Sequence, residues 1–122
     1  MIPYLMVMGG AAIGGAIRFL IGTLITARYG GRFPLGTFVI NVTGSFGIGA
    51  AMTLLTQLSP HPYWRLFLVV GILGGYTTFS SFEWETFFAA RNGSVLVGLG
   101  YVVSSVALGY LAVWLGAAIV RR

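Results

Sequence analysis

The chain has 122 residues, 57% of them hydrophobic and 7% charged, with seven arginines, no lysine, two acids and no cysteine. Soluble domains carry about 25% charged residues, so this chain cannot dress a water-facing surface and its solvent is lipid. The net charge of +5 does not point to nucleic acid, because the arginines are scattered, mostly at segment ends, and form no stripe; the lack of cysteine excludes disulfides and thiol chemistry and leaves the redox compartment open.

A membrane crossing needs roughly 20 apolar residues, and four stretches are long enough. The first runs from about residue 2 to 27 and ends in Arg28-Tyr29-Gly30-Gly31-Arg32. It begins without a basic leader and continues past any convincing cleavage site, so it reads as a mature membrane helix and not a signal peptide. The second covers about 34–58 and closes at Ser59-Pro60-His61-Pro62; the third covers about 63–90 and breaks at Arg91-Asn92-Gly93; the fourth covers about 94–120 and stops at Arg121-Arg122. Pro3, Pro34, Pro60 and Pro62 all fall at segment ends, where helices tolerate them. The expected fold is a single all-α domain of four transmembrane helices.

Orientation normally follows an excess of Lys and Arg on the cytoplasmic side. Here Arg65, Arg121 and Arg122 fall on one face and Arg28, Arg32 and Arg91 on the other, three against three. Without a charge bias the expectation is insertion both ways up, followed by pairing into an antiparallel, dual-topology homodimer. The plainer alternatives are that Arg65 lies too near the interface to count, or that the N-terminal amine tips the balance. Small residues gather where helices touch in lipid, and small pairs four apart recur at Gly10 and Gly14, Ala11 and Gly15, Ser45 and Gly49, and Ser105 and Gly109. A tight bundle follows, and one this short needs a partner chain to enclose anything.

Enzyme chemistry is not expected. The single histidine, His61, lies in a Pro-flanked loop without an acid beside it, and Glu83 and Glu85, two apart, point to different faces of a helix. What stands out is polarity at membrane depth, which is costly and usually functional. Arg18 in the first span either snorkels to the headgroups or lines an aqueous vestibule that draws in anions. Asn41 in the second span either bonds helices together or offers its amide to a permeating ligand without a trapping charge.

The run Gly74-Gly75-Tyr76-Thr77-Thr78-Phe79-Ser80-Ser81-Phe82 is the most unusual. Paired glycines followed by paired threonines form helix poorly, so the third helix is expected to break near mid-membrane. Irregular backbone there is tolerated only when buried in protein or lining a wet cavity. Freed carbonyls suit a monovalent cation such as Na⁺, and freed N–H and hydroxyl groups suit an anion; a packed kink is the structural alternative. Phe79 and Phe82, three apart, share a face. They are either plain core or present electropositive ring edges to an anion, and weak contacts of that kind are what conduction requires. Tyr101 and Ser105, four apart on the fourth span, either continue a polar track from Ser80 and Ser81 or bond between helices.

These segments together resemble the Fluc (CrcB) family of bacterial fluoride channels: the Gly74 to Phe82 run, the run from Gly36 and Thr37 through Asn41 to Gly44, and the segment from Gly14 and Gly15 to Arg18. The likeness covers nearly the whole chain. It implies an antiparallel, dual-topology homodimer in the bacterial inner membrane, exporting fluoride passively through two pores. It also implies a structural Na⁺ at the dimer centre, held by carbonyls of Gly74 and Thr77. The family's phenylalanine pair falls on Phe79 and Phe82 and its pore amide on Asn41. Its polar track falls on Ser80, Ser81, Tyr101 and Ser105, its vestibule arginine on Arg18 and its helix-three acid on Glu85. Glu83, directly after Phe82, departs from the family pattern, which has a small or neutral residue there. The rival reading is a small proton-coupled multidrug-type exporter of four helices. It requires a carboxylate in the membrane, whereas the first span offers Arg18 and no acid.

Overall fold

In a computed structural model the chain is described over residues 1–31 and 33–121. Arg32 and Arg122, which enter the loop-charge balance, lie outside the described residues. Four apolar helical spans dominate: α1 (Ile2–Tyr29), α2 (Leu35–Leu58), a divided third span of α3 (residues 63–76) and α4 (Phe79–Asn92), and α5 (Val95–Val120). Each is long and apolar enough to cross a membrane, and the chain is a multi-pass membrane protein. Pro3 sits in the first turn of α1, where its missing N–H costs nothing. Pro34 precedes α2. Ser94 caps α5 by accepting from the Leu96 amide at 3.2 Å.

The core is thin. Among the described residues only Ile40, Val69, Phe82, Tyr101 and Ala112 are buried hydrophobic side chains, while large apolar ones from Leu5 to Trp114 face outward. A soluble protein could not carry such a surface; lipid or another chain covers it.

Packing relies on glycine. A Cβ on Gly10 would strike the Phe67 carbonyl, and one on Gly14 the Ile72 carbonyl, so α1 lies backbone to backbone on α3. Residues Leu66–Leu73 of α3 are wound as a π-helix. Phe67 and Ile72, five apart and thus one π turn, thereby meet Gly10 and Gly14, one α turn apart. On the opposite side Gly49 of α2 abuts Val113 of α5, and Gly116 of α5 abuts Phe46 of α2. Ser45 and Gly109 meet on this same seam. The small pairs seen in the sequence therefore mark the two principal helix contacts, except Gly15, around which nothing lies within 4 Å.

The third span is interrupted at its midpoint. Thr77 and Thr78 are extended, with φ/ψ of −80°/157° and −148°/122°, conformations that β-branched residues adopt readily. The glycines before them stay helical: Gly74 has φ −65° and ψ −36°. Their role is close approach, and Gly75 rests 2.6 Å from the Ala11 carbonyl, measured from its would-be Cβ.

Candidate functional site

Irregular backbone inside a membrane must have its polar groups satisfied or facing a wet cavity, and the amides and carbonyls of Thr77 and Thr78 all have partners. The Thr77 amide donates to the Leu73 carbonyl at 3.0 Å. The Thr78 amide donates to Asn41 Oδ1 at 2.9 Å, and Asn41 Nδ2 donates to the Thr78 carbonyl at 3.0 Å. The Thr77 carbonyl accepts from Arg18 Nη1 at 3.3 Å. One turn beyond Asn41, Gly44 leaves room for the Thr77 methyl group and the Tyr76 ring. Thr78 then starts α4: its Oγ1 accepts from the Ser81 amide at 3.3 Å and donates to Ser81 Oγ at 3.1 Å.

Two grooves run along the protomer, and Thr78 lines both. The first, of about 370 Å³, is lined by Asn41, Gly74, Thr77, Phe79, Phe82 and Ser105 among others. The two rings in it differ in status. Phe82 is 7% exposed and packs edge-to-face on Tyr101 at 5.0 Å, whereas Phe79 is 73% exposed and free at the groove surface. Their centroids lie 5.8 Å apart. Ser105 lines this groove, while its Oγ is buried and has no hydrogen-bond partner among the described residues, so a donor and two lone pairs remain unspent. Asn41 keeps one amide N–H beyond the one given to Thr78.

The second groove, of about 720 Å³, holds Arg18, Thr37, Ser81 and Glu85. Glu85 Oε1 accepts from Thr37 Oγ1 at 2.7 Å and Oε2 from the Tyr101 hydroxyl at 2.9 Å. A charge placed in a span costs about 2.5–3.5 kcal/mol on insertion scales. Two hydrogen bonds to a charged group contribute about 1.5–3 kcal/mol each, enough to hold Glu85 there. Arg18 and Glu85 share the groove without forming an ion pair, so Arg18 and the hydrogen-bonded Glu85 stand apart within it.

The sequence-expected residues thus divide. Asn41, Gly74, Thr77, Phe79, Phe82 and Ser105 gather in the first groove, and Arg18 and Ser81 in the second. Tyr101 is fully buried between Phe82 and Glu85, joining the two groups through its ring and its hydroxyl. Ser80 is exposed and lines neither groove; Glu83, likewise exposed, is in neither. Sequence reasoning passed over Thr37 and Thr78 as site residues. A carboxyl in an apolar span demands donors, and that demand was the signal for Thr37.

Residues 5–117 match the family described as CrcB-like protein, Camphor Resistance (CrcB). The chain belongs to the CrcB family. Among its relatives, proteins called fluoride-specific ion channel FluC occur in Solibacter usitatus (strain Ellin6076) and in Acidobacterium capsulatum. The first is 62% identical over 120 residues, covering 98% of both chains. The second is 49% identical over 120 residues, covering 98% of this chain and 96% of the relative. A FluC of Rhizobium meliloti (strain 1021) is 43% identical over 118 residues, covering 96% and 94%. The match takes in the Arg18, Asn41 and Thr77–Thr78 cluster, so this CrcB-family chain carries the whole of both grooves within the shared region.

Proposed function

We propose that this chain is a fluoride-selective channel of the bacterial inner membrane, working as an antiparallel, dual-topology homodimer. Two pores carry fluoride out of the cell passively, down its electrochemical gradient. The observation that carries the reading is that two grooves, mostly apolar but holding Asn41 in one and Arg18 in the other, meet at Thr78, where the third span leaves its helix, and both lie open along the protomer's side. An inverted partner would roof both and generate a second, equivalent pair. The names of the relatives support fluoride as the ion.

The chemistry of the lining fits a small, strongly hydrated anion. Arg18 raises the local anion concentration in the wider groove, while Thr37 and Tyr101 hold the two oxygens of Glu85 in place. Past Thr78 the ion meets the spare Asn41 N–H, the unspent Ser105 hydroxyl and the electropositive edge of Phe79. None of these is a full charge, so each can replace some hydration without trapping the ion.

Gly74 and Thr77 suit a structural Na⁺ at the dimer centre. The helical partner of the Gly74 carbonyl is the Thr78 amide, and that amide is taken by Asn41, which leaves the Gly74 oxygen available. The Thr77 carbonyl already draws a cationic group, Arg18. Gly74 is exposed, and a Cβ there would touch only the Val69 carbonyl at 3.7 Å. The glycine is thus not required by packing within the protomer, as expected where a partner approaches. When bound, Na⁺ would supply positive charge that joins the two broken spans.

Phe79→Ile tests the reading. Phe79 is outside the core, so the protein is expected to fold and dimerise while fluoride flux falls at least tenfold. Undiminished flux in a folded Phe79→Ile dimer would remove the ring-edge mechanism.

A further inference from the structure

We propose that Arg18 competes with the central cation for the Thr77 carbonyl, so that cation binding releases the guanidinium into the wider groove. This rests on the Na⁺ reading above and adds to it a residue that sets the ion's affinity. Arg18 Nη1 lies 3.3 Å from the Thr77 oxygen. That is longer than the roughly 2.7–2.9 Å of a strong charge-assisted hydrogen bond to oxygen, so the contact is easily given up. The guanidinium keeps its charge at any accessible pH. A cation taking the same carbonyl would sit within a few ångströms of it, and the one acid in that groove, Glu85, makes no ion pair with Arg18, its two oxygens accepting from Thr37 and Tyr101. Repulsion at that range is strong in a poorly polarisable interior.

The side chain has somewhere to go. The groove of about 720 Å³ that Arg18 lines also contains Ser81, Thr37 and Glu85. A guanidinium swung off Thr77 stays within this space, where arriving anions pass. Cation binding at the break would therefore place positive charge in the vestibule, and by linkage an anion held there by Arg18 would tighten cation binding in return.

The experiment is a Na⁺ titration of the thermal stability of the purified full-length protein, with N-methylglucamine as the replacing cation. In R18Q the Na⁺ concentration at half-maximal stabilisation should fall about tenfold relative to the wild type, with R18K closer to the wild type. A midpoint in R18Q equal to or higher than the wild type, with both proteins still stabilised by Na⁺, overturns the competition and leaves the Na⁺ reading standing. Absence of any Na⁺ effect on either protein overturns both. A second measurement needs no variant: phenylglyoxal modification of Arg18 in the wild type, followed by peptide mass spectrometry, should run several-fold faster with Na⁺ than without. Equal or slower modification with Na⁺, in a protein that Na⁺ stabilises, contradicts release of the side chain.

Discussion

The Asn41 side chain takes both backbone hydrogen-bonding groups of Thr78, accepting from its amide at 2.9 Å and donating to its carbonyl at 3.0 Å. An amide side chain here mimics a strand edge and holds a span open that would otherwise close into a continuous helix. The same capture frees the Gly74 carbonyl and sets Phe79 at the start of a new helix.

Removing that clamp should be costly. Asn41→Ala leaves the Thr78 amide and carbonyl without partners, at about 1–3 kcal/mol. Asn41→Asp keeps the acceptor for the amide but sets a carboxylate against the Thr78 carbonyl and puts a charge in a span, at about 2.5–3.5 kcal/mol, so its loss should be larger. Equilibrium unfolding in mixed detergent should rank the three proteins wild type, Ala, Asp. Equal stability of Asn41→Ala and wild type would show that the break holds itself open.

The glycines should separate by what their missing Cβ would meet. Gly14→Ala and Gly49→Ala each drive a methyl group into a backbone carbonyl, and overpacking of this kind costs about 1–3 kcal/mol. Gly100 has nothing within 4 Å, so Gly100→Ala should be neutral or stabilising by up to about 1 kcal/mol through helix propensity. Gly74→Ala should leave the protomer folded and shift the species seen by cross-linking from dimer to monomer. A fully dimeric Gly74→Ala would argue against close approach of a partner at that position.

Much of this architecture was legible in the chain. Apolar runs ended by prolines and arginines gave four spans because only a helix satisfies its own backbone in lipid. Gly10, Gly14 and Gly49 could be read as contact residues because small residues have few other reasons to recur at that spacing. The position of the break was visible, and of the paired glycines and threonines held to cause it, Thr77 and Thr78 turn the chain while Gly74 and Gly75 stay helical. The partners were not legible. Arg18 and Thr77 are 59 positions apart, and Thr37 and Glu85 are 48 apart. Local pattern carries no information on such pairs, which depend on how the helices rotate about their axes. The π winding of Leu66–Leu73, which lies against α1, likewise has no local sign in the sequence.

Glu85, Thr37 and Tyr101 should behave as a unit. Tyr101→Phe removes one hydrogen bond to the carboxyl group and keeps the ring against Phe82, costing about 1.5–3 kcal/mol. Glu85→Ala orphans a fully buried phenol and should cost at least as much. The double variant should be less damaging than the sum by about 0.5–3 kcal/mol. Additive losses would show that the two groups act independently.

Dual topology predicts that a single cysteine added at the C-terminus is labelled by an impermeant maleimide from both sides of the membrane, about equally. The chain has no native cysteine to confuse the result. Labelling from one side alone would contradict the antiparallel dimer.

The most direct measurement is ion flux through the purified protein in liposomes. A membrane potential alone, set by K⁺ and valinomycin with no proton gradient, should drive rapid fluoride efflux and leave chloride retained. Efflux that requires a proton gradient, or chloride passing as readily as fluoride, would contradict a fluoride channel and favour a coupled exporter.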